Sequence, residues 1–471
     1  MKVSTLTGAL VGSAAFVRAS VPTISAVGNK FFTEDGSQFF IKGVAYQLSP
    51  DDPLIDGDQC ARDVELMKTL GVNTIRVYHV DATANHDSCM SALADAGIYT
   101  LIDLDTFTSY ILSPTVSGAS WTQDQYDSYA AVIDAFAGYD NVLGFFVGNE
   151  VIAQASQSQA APYIKAAAAD MKAYRDKKKY RNIPIGYSAA DIAELRPMLQ
   201  DYLTCGGKPE ETIDFFSLNS YEWCDPSTYA TSGYTNLEAM AKDYPVPIFF
   251  SETGCNTPGP RTFDDQTAIF GPEMNADWSG SIIYEWIQEA NNYGLITYGN
   301  GEKSDNAPRS GTPKPMTPDF ANLKAQWATL TPKGVASADY DPKSVSTRDC
   351  PASTASGWLV DGNVPLPTVG SDVTYEVPSN TPASGAAAPT STAETGKSAA
   401  TGKTAGTGTA ATGTAATGTA ATGTATTGTS TKSATGTAAS SAATGAASSF
   451  FQASGASAIL AGAVMALTLL L

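Results

Sequence analysis

Short apolar runs alternate with amphipathic helical stretches between residues 21 and 330. Branched and aromatic side chains fill these runs, which predicts buried strands. The predicted strands are 39–47, 72–80, 98–105, 142–150, 183–189, 214–221, 247–252 and 279–286. Helical patterns between them include 59–70, 88–96, 123–137, 161–175 and 236–244. Eight such units in roughly 300 residues are typical of an α/β protein with a (β/α)₈ barrel.

A doubly wound open sheet gives a similar alternation of strands and helices. Such sheets commonly carry a glycine-rich phosphate loop after the first strand. Residues 43–47 read Gly-Val-Ala-Tyr-Gln and continue without such a turn. The barrel is therefore the favoured architecture.

The two ends of the chain differ from its middle. Lys2, an apolar stretch over 6–17 and the small-x-small pattern at 17–19 predict a signal peptide over 1–19. The barrel domain is then expected over 20–340, followed by a disordered Thr/Ala/Gly/Ser-rich linker over 341–445, because that tract has almost no core-forming side chains. The apolar tail within 446–471 favours a GPI-attachment signal over a permanent membrane span, which needs roughly 20 apolar residues.

Charge and cysteine content narrow the possible partners. The net charge of −19 and the pI of about 4.4 speak against nucleic acid and anionic membrane surfaces, and they suit a neutral polymer. Six cysteines in a secreted chain favour disulfides, and no CxxC pair exists. With only two histidines in the chain, no metal is expected. Spacing alone leaves the disulfide pairing open.

Two glutamates close predicted strands at equivalent places. Glu150 follows the fourth strand and Glu252 ends the seventh. A carboxylate at the mouth of an apolar strand is costly without a partner or a task. Retaining glycosidases use such a pair, one as acid/base and the other as nucleophile. A lone Glu would more readily be an ion pair or a helix cap, but two at matching strand ends favour catalysis.

Further polar and aromatic residues lie near other strand ends. Asn149 is placed to bind a sugar 2-hydroxyl, and Arg76 to hold Glu252 ionised and lower its pKa. Aromatic rings bind sugars, although an aromatic in an apolar strand is more often core. The remaining subsite candidates are Tyr78, Tyr221, Tyr284, Trp286, Gln47, Asp103 and Asp105.

Six motifs in this chain resemble those of the fungal β-1,3-glucanosyltransferases, family 72 of the glycoside hydrolases. They are Gly43-Val44-Ala45-Tyr46-Gln47, Arg76-Val77-Tyr78, Val147-Gly148-Asn149-Glu150, Asn219-Ser220-Tyr221-Glu222-Trp223-Cys224, Phe250-Ser251-Glu252-Thr253-Gly254-Cys255 and Tyr284-Glu285-Trp286. The resemblance covers residues 22–350 or so. Thr253 departs from it, since an aromatic residue is expected there.

The resemblance implies a (β/α)₈ barrel with Glu150 as acid/base and Glu252 as nucleophile, and with Tyr78, Tyr221 and Tyr284 lining the site. It also implies three disulfides, Cys60 with Cys89, Cys224 with Cys255 and Cys205 with Cys350. No cysteine follows Cys350, so the cysteine-rich carbohydrate-binding module of some members is not expected.

The activity implied is cleavage of one β-1,3-glucan and transfer of the new end to a second, acceptor glucan, without a cofactor. The GPI anchor would hold the protein at the outer face of the plasma membrane or in the wall. Two alternatives stay open from the sequence. One is a retaining endo-β-1,3-glucanase of the same barrel type, and the other is a wall protein that binds glucan without turnover.

Overall fold

The structure, a computed structural model, describes residues 21–47, 52–105, 109–111, 118–304, 306–355 and 357–371. Its strands are β1 (Ile24–Val27), β2 (Lys30–Thr33), β3 (Ile41–Ala45), β4 (Thr74–Val77), β5 (Tyr99–Asp103), β6 (Val142–Asn149), β7 (Ile185–Ala190), β8 (Phe215–Asn219), β9 (Ile248–Thr253), β10 (Trp278–Ile283), β11 (Ile296–Thr297) and β12 (Lys314–Pro315). Its helices are α1 (Gly57–Leu70), α2 (Asp87–Asp95), α3 (Gln123–Phe136), α4 (Ala161–Lys177), α5 (Arg196–Thr204), α6 (Tyr234–Ala241), α7 (Asp265–Ile269) and α8 (Asp319–Thr329). Short 3₁₀ helices span Ala155–Ala160, Pro209–Glu211, Ser337–Asp339 and Pro342–Ser344.

Strands β3 to β10 form a closed barrel in chain order, and β10 pairs with β3 to complete it. Every pairing in the barrel is parallel. The predicted (β/α)₈ architecture is confirmed, and each of the eight predicted strands overlaps one barrel strand. All eight carboxyl ends consequently lie on one face, where barrel enzymes carry their active sites.

Local signals in the sequence set the helix ends. The side chain of Asp56 accepts a hydrogen bond from the backbone N–H of Gln59 and so caps α1. Gly71 ends the same helix in a left-handed conformation, with φ 84°. Thr122 and Gln125 form a reciprocal capping box at the start of α3.

A hairpin of β1 and β2, which the sequence did not predict, supplies a plug for the barrel interior. Phe31 is fully buried in the same cluster as Phe146, Phe215 and Phe249. Its ring centroid lies 6.2 Å from that of Phe215 and 6.0 Å from that of Phe249. The aromatic cluster fills the barrel below the face that carries the strand ends.

The chain continues to pack after residue 340, where the linker was expected to begin. The Cys205–Cys350 disulfide ties this segment to the end of α5. Trp358 and Val360 are fully buried in the outer core, and the Trp358 ring contacts Tyr202 at 5.7 Å between centroids. The backbone N–H of Gly370 donates to the carbonyl of Trp121 at 2.8 Å, so the packed region extends to the last described residues.

The other two disulfides join Cys60 to Cys89 and Cys224 to Cys255. These are the three pairs that the resemblance implies. Among the described residues, no helix is long and apolar enough to cross a membrane. The predicted signal peptide, most of the linker and the apolar tail lie outside the described residues.

Candidate active site

Glu150 and Glu252 lie on the same face of the barrel. Strand β6 ends at Asn149, immediately before Glu150, and Glu252 is the penultimate residue of β9. The backbone N–H of Glu150 donates to the carbonyl of Ser188 at 2.9 Å. Glu150 has φ 49°, a left-handed conformation that few residues other than glycine adopt. Such a conformation at a strand end is typical of functional sites.

Three donors surround the carboxylate of Glu252. The hydroxyl of Tyr78 donates to Oε1 at 2.9 Å and that of Tyr221 to Oε2 at 2.8 Å. Nη1 of Arg76 lies 3.4 Å from Oε1. Burial raises the pKa of Glu252 to about 7 and the charge of Glu150 adds to this, whereas the arginine and both tyrosines lower it. Arg76 thus acts in the predicted direction, but burial outweighs it and the net shift is upward.

Glu150 has fewer donors than Glu252. Nδ2 of Asn219 donates to its Oε1 at 3.0 Å. Burial raises the pKa of Glu150, and the Asn219 hydrogen bond and the charge of Arg76 only partly oppose this. The two carboxyls therefore differ in how strongly their surroundings stabilise the ionised form.

Arg76 stands at the centre of the site and is fully buried. Its Nη2 donates to Oδ2 of Asp103 at 2.8 Å and to Oδ1 of Asn149 at 2.9 Å. Its guanidinium carbon lies 4.3 Å from the ring centroid of Tyr78. Burial alone would lower the pKa of Arg76, but the neighbouring charges, above all Asp103, raise it. Arg76 is consequently a fixed cation beside Glu252.

A cluster of amides and hydroxyls connects the two glutamates. Oδ1 of Asn219 accepts hydrogen bonds from Ser188 at 3.0 Å and from Ser251 at 2.8 Å. Nδ2 of Asn219 donates to Oδ1 of Asn149 at 3.0 Å as well as to Glu150. These contacts fix the orientation of both asparagine amides.

Three tyrosines form one wall of the site. The rings of Tyr221, Tyr284 and Tyr293 lie edge to face, with centroids 5.4 to 6.4 Å apart. Gln47 donates to the hydroxyl of Tyr284 at 2.9 Å. Four of the predicted subsite residues, Gln47, Tyr78, Tyr221 and Tyr284, therefore lie together around Glu252.

Trp286 does not belong to this wall, which corrects its prediction as a subsite residue. Its side chain is fully buried in the outer core between barrel and helices. A ring with no exposed face cannot stack on a sugar. Asp105 follows β5 and is only partly buried, and its Oδ1 has no hydrogen-bond partner within the described residues.

Several polar residues of the site were not predicted. Ser188, Ser251 and Asn219 sit inside strands, and Glu285 is a fully buried carboxyl next to Tyr284. Their signal was a polar side chain in an otherwise apolar run, a pattern that also fits an ordinary strand facing solvent on one side. The described residues contain no cluster of His, Cys, Asp and Glu arranged to hold a metal ion.

Comparisons with known proteins agree with this geometry. The family model described as Glucanosyltransferase matches residues 13–331. Protein EPD1 of Candida maltosa is 39% identical over 79% of this chain and 67% of its own length. The 1,3-beta-glucanosyltransferase GAS2 of Saccharomyces cerevisiae is 38% identical over 75% of this chain and 65% of its own. The 1,3-beta-glucanosyltransferase gel1 of Aspergillus fumigatus is 41% identical over 78% of this chain and 80% of its own length.

A solved structure extends the match to the fold. It shows a Glu-to-Gln mutant of Saccharomyces cerevisiae Gas2p in complex with laminaritetraose and laminaripentaose. The TM-score is 0.66 at 39% sequence identity, over 73% of this chain and 74% of that one. This chain spans about two thirds of the length of the first two relatives. On the family match, the barrel and the shared sequence, the chain belongs to the glucanosyltransferase family.

Proposed function

We propose that this protein is a retaining 1,3-β-glucanosyltransferase that cleaves a β-1,3-glucan and transfers the new end to a second β-1,3-glucan chain. One observation carries the proposal: on the carboxyl face of the barrel, Glu252 receives three donors and Glu150 a single amide. Two carboxyls with unequal surroundings are the arrangement that acid/base and nucleophilic roles require. The named relatives and the oligosaccharide complex of Gas2p support the choice of substrate.

The donors decide where the proton resides. Tyr78, Tyr221 and Arg76 stabilise the ionised form of Glu252. Once Glu150 holds a proton, its charge no longer raises the pKa of Glu252. Because Glu252 has three donors and Glu150 a single amide, we assign a proton shared by the pair to Glu150, so that Glu150 acts as the acid and Glu252 as the nucleophile.

In the first step, an oxygen of Glu252 attacks the anomeric carbon of the donor glucan. The glycosidic bond breaks, and Glu150 gives its proton to the departing oxygen. A glucosyl ester on Glu252 results, and the fragment carrying the original reducing end leaves. Asn149 has its Oδ1 engaged by Arg76 and Asn219, so its amide N–H₂ is the group that donates to the 2-hydroxyl.

In the second step, Glu150 removes a proton from the 3-hydroxyl of an acceptor glucan, and that oxygen displaces Glu252 from the anomeric carbon. The new bond has the same anomeric configuration as the broken one. Water would give hydrolysis by the same route. Transfer prevails when the tyrosine wall orients an acceptor chain and excludes water.

The ends of the chain complete the proposal. Residues 1–19 would direct secretion, and 446–471 would be exchanged for a GPI anchor that holds the enzyme at the outer face of the plasma membrane or in the wall. The domain bounds 20–340 and 341–445 remain part of this proposal, with the packed segment up to residue 371 added to the folded region.

The decisive experiment incubates the secreted protein with one purified laminari-oligosaccharide and measures product masses. Products longer than the donor support transfer. Only shorter products would indicate an endo-β-1,3-glucanase, and no turnover by folded protein would indicate a glucan-binding wall protein.

A second experiment separates the two roles. Glu150→Ala and Glu252→Ala are each incubated with azide and a laminari-oligosaccharide bearing an activated leaving group. Azide that replaces the base attacks the glucosyl ester and gives the β-azide, whereas azide that replaces the nucleophile gives the α-azide. We expect the β product from the Glu150 variant and the α product from the Glu252 variant, and the reverse would exchange the roles.

A further inference from the structure

Glu285 is a third carboxyl at the site, and neither proposed step uses it. It directly follows Tyr284 beyond the end of β10 and is fully buried. Its Oε2 accepts from Nε2 of Gln47 at 2.7 Å, and its Oε1 accepts from Nδ2 of Asn291 at 2.7 Å. Each oxygen therefore fixes one side-chain amide.

The same two amide nitrogens also donate to the hydroxyl oxygen of Tyr284. The distance is 2.9 Å from Gln47 and 3.4 Å from Asn291. A tyrosine oxygen offers two acceptor positions and one hydrogen. With both acceptor positions occupied, the hydrogen of Tyr284 has to point to a different acceptor.

That acceptor is not found among the described residues. The tyrosine hydroxyls within hydrogen-bonding distance of the Glu252 oxygens are those of Tyr78 and Tyr221, and Tyr284 is not among them. Tyr284 makes edge-to-face contacts with Tyr221 and Tyr293, so its hydroxyl lies in the wall of the site. The hydrogen is thus directed at the space that a glucan would occupy.

The orientation of the two amides is set in different ways. Oδ1 of Asn291 accepts the backbone N–H of Tyr293 at 3.2 Å, so its Nδ2 must face Glu285 and Tyr284. Gln47 has no such second anchor within the described part of the chain. Glu285 alone keeps the N–H₂ group of Gln47, rather than its oxygen, turned toward Tyr284.

The surroundings of Glu285 act on its charge in opposite directions. Burial raises its pKa to about 8 and the charge of Glu289 adds to this, while the two amides lower it. In the orientation found here, both side-chain amides donate to Glu285, which is the arrangement that suits an ionised carboxylate. The geometry therefore favours the carboxylate.

We propose that Glu285 is a positioning residue that, by holding Gln47 and Asn291 as donors, forces the Tyr284 hydroxyl to donate its hydrogen to an oxygen of the bound glucan. The inference rests on the proposed glucanosyltransferase activity. It specifies that Tyr284 donates to the glucan and does not accept from it, which the presence of a tyrosine at this position does not determine by itself.

Glu285→Gln tests the inference directly. The substitution turns one acceptor oxygen into an N–H₂ group that faces an amide donor, so the Gln47 amide turns over and its oxygen takes up the hydrogen of Tyr284. We expect kcat for transfer to fall by about 10- to 100-fold, as for the loss of one strong hydrogen bond. Tyr284→Phe should cause a similar loss.

The double variant Glu285→Gln/Tyr284→Phe gives the more specific readout. If Glu285 acts through Tyr284, introducing Glu285→Gln into the Tyr284→Phe enzyme changes kcat by no more than about twofold. The inference would be overturned if the kcat loss of the double variant equalled the product of the two single losses. It would also be overturned if the Glu285→Gln enzyme had the activity of the native protein. Glu65→Gln is the control, because Glu65 is an exposed carboxyl on α1 that accepts from Lys68 at 3.1 Å.

Exchanging the side chains of Glu285 and Gln47 shows whether Glu285 sets the direction of the Tyr284 hydrogen bond or only stabilises the fold. In Glu285→Gln/Gln47→Glu the two side chains are again complementary, so the protein should fold with a melting temperature near that of the native enzyme. Glu at position 47 can only accept, however, and it draws the Tyr284 hydrogen away from the cleft. We expect stability to return and activity to stay low, whereas recovery of both would show a purely structural role.

The two proposals fail in different ways. If the native protein makes no glucan products, the proposed function is wrong whatever Glu285 does. If the native protein transfers glucan and the Glu285 variants behave like it, only this inference is wrong.

Discussion

Arg76 and Asp103 form a two-point ion pair, with Nε and Nη2 donating to the two carboxylate oxygens at 3.1 and 2.8 Å. The side chains are 0% and 1% exposed. Two parallel hydrogen bonds fix the plane of a guanidinium. The remaining nitrogen, Nη1, consequently faces Glu252 at 3.4 Å.

Asp103→Asn should therefore destabilise the protein strongly. The substitution leaves Arg76 as a buried charge without its main partner, a loss of about 3–5 kcal/mol. Urea unfolding followed by circular dichroism measures the change. Asp127→Asn is the control, because Asp127 accepts an exposed hydrogen bond from Gln123 and should give little change. Equal stability of both variants would argue against the role of the pair.

Tyr78→Phe and Tyr221→Phe should move the pH profile of the enzyme. Each variant removes one donor to Glu252, and these donors lower the pKa of that carboxyl. Because Glu252, the proposed nucleophile, must be ionised to attack, the acidic limb of kcat/KM should shift to higher pH. Tyr99→Phe, whose hydroxyl donates to the Pro22 carbonyl instead, should leave the limb in place. A shift to lower pH would contradict the assignment of Glu252.

Stability should fall as the pH rises. Burial raises the pKa of Asp265 from 3.8 to about 7 and that of Glu238 from 4.5 to about 8. At a pH between the ordinary and the raised pKa of each carboxyl, the folded protein binds more protons than the unfolded chain. Raising the pH through this range therefore favours unfolding. The stabilisation is complete at about pH 4 and is lost by about pH 8.

Scanning calorimetry at several pH values measures this effect. We expect a melting temperature that declines from pH 5 to pH 8 or so and a shallower decline in Asp265→Asn. A melting temperature that rises over the same range would contradict the prediction.

Trp358→Ala should show that the segment after residue 340 belongs to the folded domain. Trp358 is fully buried against Tyr202, and removing a buried tryptophan costs about 3–5 kcal/mol. Chemical unfolding of the variant measures the loss. Leu366→Ala, a partly buried position further along the same segment, serves as a milder comparison. If Trp358→Ala has no effect, the segment does not contribute to the fold.

The barrel strands were predictable because each is buried on both faces and reads as a continuous apolar run. The β1–β2 hairpin was not, since its strands are four residues long and Phe31 reveals its role only when the barrel closes around it. Trp286 was predicted as a subsite residue because it follows a barrel strand, yet its side chain is buried in the outer core. A residue just beyond a barrel strand can face the helices instead of the cleft, and the sequence does not show which.

The two proposed catalytic glutamates were predictable for a different reason. Each stands out as a carboxylate at the end of an apolar run, and family motifs surround both. Ser188, Ser251 and Glu285 make contacts between distant parts of the chain, which no spacing in the sequence records. The upward pKa shift of Glu252 was also unpredictable, because it depends on how deeply the site is buried.

The left-handed backbone of Glu150 implies a conflict between stability and activity at a single residue. A side chain other than glycine at φ 49° costs roughly 1 kcal/mol or more. Glycine or asparagine at position 150 would relieve that strain and abolish the proposed acid. Selection for heat resistance alone would therefore favour replacing this residue, and only selection for the proposed glucan transfer would retain the glutamate.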